Sequence, residues 1–169
     1  MRSFAFVLGS VLLAAQIVSA AVAPPKVRVQ SLADLPVVVM KPYDESANAD
    51  ATVNAAFVRA KKDGKRVLID LGGNWCTDCI VLANVLELPE VKSFVDAHFE
   101  FVEVDVGRFD RNLQIQKRFG FDKKLEGLPS LLIAEPDGTL VNKGHVSALA
   151  DDRTMTPQGI ANWLAQWAK

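Results

Sequence analysis

Cysteine is scarce in this chain: two residues in 169, both inside one tetrapeptide. That number is too small for a disulfide-stapled miniprotein or a four-cysteine zinc site. An excess of either charge is also lacking, with 19 basic residues against 20 acidic ones and a net charge of −1. Neither a nucleic-acid backbone nor an anionic membrane surface is indicated as the main partner. Histidine is limited to His98 and His145. The sequence contains no Ser/His/Asp arrangement, no phosphate-cradling glycine loop, no dinucleotide fingerprint and no internal repeat, which sets hydrolase and kinase chemistry aside. Half of the residues are hydrophobic and 23% are charged, with 8 Pro and 10 Gly. Such a composition builds one ordinary globular domain and excludes disordered or collagen-like structure.

The first twenty residues read as something other than this domain. Arg2 precedes an apolar run from Phe4 to Ala15, and small residues follow at Val18, Ser19, Ala20 and Ala21. This is the pattern of a secretory signal peptide over residues 1–20, with cleavage after Ala20 or as late as Ala23. An uncleaved membrane anchor is the alternative. Both place the domain outside the cytoplasm. Residues 21–49 form an N-terminal extension, and residues 50–169 form the domain.

Within the extension, the apolar run Leu35 to Met40 is expected to be an edge strand. Asp50 is expected to cap a helix that carries Val53, Phe57 and Ala60 on one face and ends at Asp63-Gly64. Val67 to Leu71 reads as a buried strand, Cys76 to Glu87 as a helix, and Pro89 as the start of another helix reaching Ala97. A strand follows at Phe99 to Val104, then a helix capped by Asp110 and running to Phe119. Leu131 to Ala134 is a third strand, and Pro136-Asp137-Gly138 turns it into a returning strand at Leu140-Val141. Thr156-Pro157 opens the last helix, with Ile160, Trp163, Leu164 and Trp167 on one face. The order predicts an α/β domain with a central mixed sheet flanked by helices on both faces.

The chemistry centres on Cys76-Thr77-Asp78-Cys79, placed where a strand gives way to a helix. The spacing admits a structural bridge, half of a metal site, or a redox pair. A structural bridge stabilises most when it closes a longer loop. No second cysteine pair exists, and neither histidine has ligand spacing to this one. The strand-to-helix position and the exported compartment favour redox chemistry. Cys76 at the helix N-terminus faces unpaired N–H groups that favour a thiolate, which makes it the nucleophile. Cys79, one turn further in, is the resolving thiol.

The run Val67-Leu68-Ile69-Asp70-Leu71-Gly72-Gly73-Asn74-Trp75-Cys76-Thr77-Asp78-Cys79, with Gly127-Leu128-Pro129-Ser130 downstream, resembles the thioredoxin-like superfamily. Within it the likeness is to secreted bacterial members and to the C-terminal periplasmic domain of the thiol:disulfide interchange protein DsbD. The resemblance covers about residues 50–169 and implies a thioredoxin fold and thiol–disulfide oxidoreductase activity. It implies that Asp70 is the buried carboxylate that relays a proton to and from Cys79. It also implies that Trp75 flanks the site, that Pro129 is a cis-proline facing the disulfide, and that Leu128 offers its backbone to substrate. No organic cofactor or metal is expected, because the dithiol itself carries two electrons.

Several positions depart from the family pattern. Ile80 stands where many relatives have Lys or Arg, and Asn84 where thioredoxin has a helix-kinking proline. The strand Phe99 to Asp105 lacks the lysine that pairs with the buried carboxylate. The loop Asp122 to Glu126 and the segment Ala150 to Met155 are extensions that either shape a partner surface or reflect neutral drift. Thr77 and Asp78 are the residues that tune the redox potential. Asp78 opposes a thiolate at Cys76, which predicts a potential below roughly −200 mV and therefore a reductase or an isomerase kept reduced. An oxidase is the competing enzymatic reading. A Cu(I) metallochaperone is the non-enzymatic one, although relatives of that kind add a histidine near the pair. The expected partners are protein or small-molecule disulfides and a membrane electron donor of the thiol-transporter type, for a periplasmic monomer.

Overall fold

The computed structural model describes residues 21–169, so the expected signal peptide at 1–20 lies outside the described residues. Among the described residues, eight α-helices and β-strands follow one another. Helix α1 (Ala49–Asp63) leads into strand β1 (Arg66–Gly72), then α2 (Thr77–Leu86), α3 (Pro89–His98) and β2 (Phe99–Asp105). Helix α4 (Leu113–Lys117), β3 (Ser130–Ala134) and α5 (Pro157–Ala165) complete the domain. The sheet order is β2-β1-β3, with β1 parallel to β2 and antiparallel to β3. This is the predicted mixed sheet between helices, with β1 at its centre.

Strand β1 is central because it can be buried on both faces: Val67 to Leu71 have almost no exposed surface. Leu68 packs with Leu82, Val91, Ile160 and Leu164 of α2, α3 and α5. Val67, Ile69 and Leu71 pack with Val53, Ala56 and Ala60 of α1 and with Ile115 of α4. Small residues at Ala49, Ala56 and Ala60 let α1 lie close to the sheet. Asn48, not Asp50, caps that helix by accepting from the Ala51 N–H at 3.0 Å. Gly64 ends it in the left-handed region at φ 70°.

Three expectations fail where side chains occupy backbone hydrogen-bonding groups. Leu35 to Met40 is not a strand. Its backbone is held instead by the Asn84 side chain, which accepts from Val38 and Val39 N–H at 2.6 and 2.9 Å and donates to the Val39 carbonyl at 2.8 Å. The returning strand after Gly138 shrinks to a single bridge between Ala134 and Leu140. Beyond it the buried Asn142 amide takes over, accepting from Ile133 N–H at 2.9 Å and donating to the Leu131 carbonyl at 2.8 Å. The helix expected from Asp110 begins only at Leu113. Phe109 and Asn112 have φ of 66° and 52°, and Asp110 accepts from the Arg108 N–H in a local turn at 3.0 Å.

The extension is a strap across the domain. Gln158 of α5 accepts from Val27 N–H and donates to the Pro25 carbonyl, both at 2.9 Å. Glu90 of α3 accepts from Arg28 N–H at 2.7 Å, and Asn84 of α2 holds the next stretch. The strap then delivers Tyr43, which is 2% exposed, to the end of β1.

Candidate active site

Strand β1 stops at Gly72, and the turn through Gly73, Asn74 and Trp75 closes with Cys76 N–H donating to the Gly73 carbonyl at 3.0 Å. Cys76 takes the N-cap of α2, and its Sγ accepts from the Cys79 N–H at 3.2 Å. Cys76 and Cys79 form a disulfide with their Cα atoms 5.2 Å apart. Cys79 is fully buried and Cys76 nearly so. The peptide bond between Leu128 and Pro129 is cis, and the Leu128 carbonyl oxygen lies 3.5 Å from Cys76 Sγ.

A cleft of about 350 Å³ opens at Cys76 between Trp75, Phe109, Lys124, Leu128 and Arg153. Trp75 is 45% exposed, anchored by its indole N–H donating to the Gly107 carbonyl at 2.7 Å. The Arg108 guanidinium stands 4.4 Å above its ring, and Lys124 stands 4.3 Å from the centre of the Phe109 ring. Thr77 is exposed in the first turn of α2. Neither histidine lines this cleft: the His98 ring bonds to the Lys169 carbonyl, and the exposed His145 ring lies 5.6 Å from that of Trp167.

Asp70 is fully buried on β1, paired in register with Glu103 of β2 and Leu131 of β3. Burial pushes its carboxyl up to about 8, the Tyr43 hydrogen bond draws it down, and the nearby Glu103 charge raises it. Glu103 is itself pushed up to about 7, first by burial and then by the charge of Glu87, with Lys92 opposing. An acid therefore stands at the register position beside Asp70, on the strand already found to lack lysine. The donor comes from the strap: Tyr43 Oη donates to Asp70 Oδ2 at 2.8 Å.

The segment Ala150 to Met155 brings two further residues to the tetrapeptide. Arg153 Nε donates to Asp78 Oδ1 at 2.5 Å. Asp78 is thus matched by a cation, so the unopposed negative charge predicted from Cys-Thr-Asp-Cys alone is corrected. Asp152, from the 3₁₀ turn Asp152–Thr154, is fully buried, and neither of its carboxyl oxygens has a donor. Burial, then the Asp78 charge, raises its pKa to about 8, so the buried group is held in its neutral form. Tyr43, Asp152 and Arg153 escape sequence reasoning because each lies far along the chain from the cysteines. One signal was present for Tyr43: a buried carboxylate without its lysine requires another donor.

A Cys-x-x-Cys disulfide at the N-terminus of a helix, on a mixed sheet between two layers of helices, makes this a thiol–disulfide oxidoreductase of thioredoxin fold. The chain belongs to the thioredoxin-like family, whose model matches residues 48–136. A disulphide isomerase from Xylella fastidiosa Temecula1 is similar in structure, with a TM-score of 0.68 and 38% identity over 74% of this chain and 95% of that one. The oxidised C-terminal domain of DsbD from Neisseria meningitidis aligns with a TM-score of 0.43 and 26% identity, over 56% of this chain and 80% of that one. No curated protein sequence matches the chain.

Proposed function

We propose that the protein is a periplasmic thiol–disulfide reductase acting on protein or small-molecule disulfides. The observation that carries this direction is the burial of the pair: Cys79 is fully buried and Cys76 nearly so, and the Arg153 guanidinium beside the tetrapeptide is paired with Asp78. Burial disfavours a thiolate at Cys76, and a dithiol whose thiolate is not stabilised gives up its electrons more readily.

In the cycle proposed, the Cys76 thiolate attacks one sulfur of the substrate disulfide and expels the other as a thiolate, leaving a mixed disulfide. Cys79 passes its proton to Asp70 and attacks Cys76 Sγ, releasing the second substrate sulfur and closing the Cys76–Cys79 disulfide. Two electrons pass to the substrate, and a dithiol donor of the membrane thiol-transporter class returns them. No organic cofactor enters. A carboxyl that titrates near 8 suits proton transfer in both directions close to neutral pH. Trp75, Leu128 and Pro129 form the substrate-binding lip, with the Leu128 backbone beside Cys76, while Thr77 and Asp78 tune the potential. A monomer suffices for this cycle. The signal peptide expected at residues 1–20 supports a periplasmic location, and among the described residues no helix is long and apolar enough to cross a membrane.

The test is the reduction potential of Cys76–Cys79 against a dithiothreitol or glutathione series, read by the fluorescence of Trp75 beside the pair. A value below about −200 mV is expected. A value near about −120 mV marks an oxidase and overturns the proposal. The X. fastidiosa relative favours a second reading, an isomerase kept reduced. Recovery of activity from a scrambled disulfide protein, without net reduction, distinguishes that reading.

A further inference from the structure

We propose that Tyr43 is a positioning residue of the redox centre: its phenol holds the Asp70 carboxyl for proton exchange with Cys79, and the N-terminal strap is the element that delivers it. This rests on the reading of Asp70 as the proton relay. The hydroxyl of Tyr43 donates to Asp70 Oδ2 at 2.8 Å, and both side chains are buried. It is the one hydrogen-bond donor to Asp70 among the described residues, and Asp70 Oδ1 is left without a partner, free to take or give a proton. The phenol and the resolving sulfur both crowd the space beside Gly72. A Cβ on Gly72 would stand 2.1 Å from Tyr43 Oη and 2.9 Å from Cys79 Sγ, so only glycine lets both groups meet there.

The remaining groups around Asp70 make this donor hard to replace. Glu103 on β2 and Asp152 on the 3₁₀ turn are acids, and Leu131 on β3 is apolar. Tyr43 is itself clamped from the turn that precedes Cys76. Asn74 accepts from its N–H at 3.0 Å and donates to its carbonyl at 2.8 Å. A tyrosine that merely filled space would need neither the hydroxyl contact nor the backbone clamp.

The test uses the full chain carrying Tyr43→Phe, and the full chain with 3-fluorotyrosine in place of tyrosine. Tyr43 is the only tyrosine, so the second substitution is confined to this position. Carboxyl NMR follows the ionisation of Asp70 in the oxidised protein. Turnover of a model disulfide with dithiothreitol as donor supplies the pH–rate profile. A hydrogen bond that favours the carboxylate is lost in Tyr43→Phe, so the Asp70 midpoint and the rate profile are expected to move up by about one pH unit. The fluorinated phenol is a stronger donor and is expected to move both down, which keeps the proposal open to refutation should Tyr43→Phe fold poorly. In an Asp70→Asn background neither change is expected to alter the profile further.

An Asp70 midpoint that ignores both changes at Tyr43 overturns the proposal, as does a rate effect that persists in Asp70→Asn. A profile that responds to Asp70→Asn but not to Tyr43 overturns the proposal alone. A profile indifferent to Asp70→Asn overturns the relay reading and the proposal with it.

Discussion

The middle of the chain, residues 48–136, and the segments on either side of it contribute to the redox centre in different ways. The middle supplies the disulfide, the buried Asp70 and the cis-Pro129 loop, all set by the central sheet. The flanks supply Tyr43, Asp152 and Arg153, which exchange no electrons: Tyr43 bonds to Asp70, Arg153 to Asp78, and Asp152 lies buried near Asp78. The middle matches the family model, whereas the flanks extend beyond it. Reacting atoms are thus held by rigid elements, while the charge and proton affinity around them are set by irregular segments that are freer to diverge.

Substitutions that break the middle are expected to have the largest effects. Cys76→Ser or Cys79→Ser should reduce turnover to background. Cys79→Ser should in addition trap a mixed disulfide through Cys76, visible on a non-reducing gel. Asp70→Asn should slow resolution by about a hundredfold, measured by stopped-flow decay of the mixed disulfide, because it removes the proposed proton acceptor.

One carboxyl from each region sharpens the comparison through stability. Asp70 and Asp152 ionise near about pH 4 in an unfolded chain but hold their protons to about 8 when folded. Between those limits the folded state binds more protons. Their contribution is therefore fully present below about pH 4 and is lost as the pH rises through 8. The melting temperature of the oxidised protein should fall by several degrees between pH 5 and pH 8, and either Asp→Asn substitution should flatten the slope. A slope unaffected by Asp152→Asn would remove the flank from the buried acid set.

The smallest effect expected is on potential. Arg153→Ala leaves Asp78 unopposed and should lower the midpoint by about 15 mV in a glutathione titration, whereas Asp78→His should raise it. An unchanged midpoint in both would show that the Asp78–Arg153 pair does not tune the potential.

The legible parts of the sequence were those whose partners are local. The apolar run Val67 to Leu71, the glycine break and the cysteine spacing place the disulfide at the mouth of α2, as observed. Thr156-Pro157 likewise starts α5, with Thr156 Oγ1 accepting from Gly159 N–H at 3.0 Å. The parts that did not read correctly depend on distant contacts. Leu35 to Met40 has the composition of a strand, but its backbone is held by Asn84, 45 residues from Val39. Asp78 looked like an uncompensated charge because Arg153 lies 75 residues away in sequence. Periodicity carries no information on such pairs, and a missing partner, such as the absent lysine, is the sole trace they leave.

Asn142 has one further consequence. An open sheet edge is a template on which another chain can add itself, and β3 lies at such an edge. Here the outward-facing groups of Leu131 and Ile133 are already taken, by the Asn142 amide and by backbone groups of Val141 and Val146. A guest strand therefore finds no vacancy along β3. In the cycle proposed, an extended client segment is therefore turned away from β3 and left to the Leu128 backbone, whose carbonyl oxygen lies 3.5 Å from Cys76 Sγ.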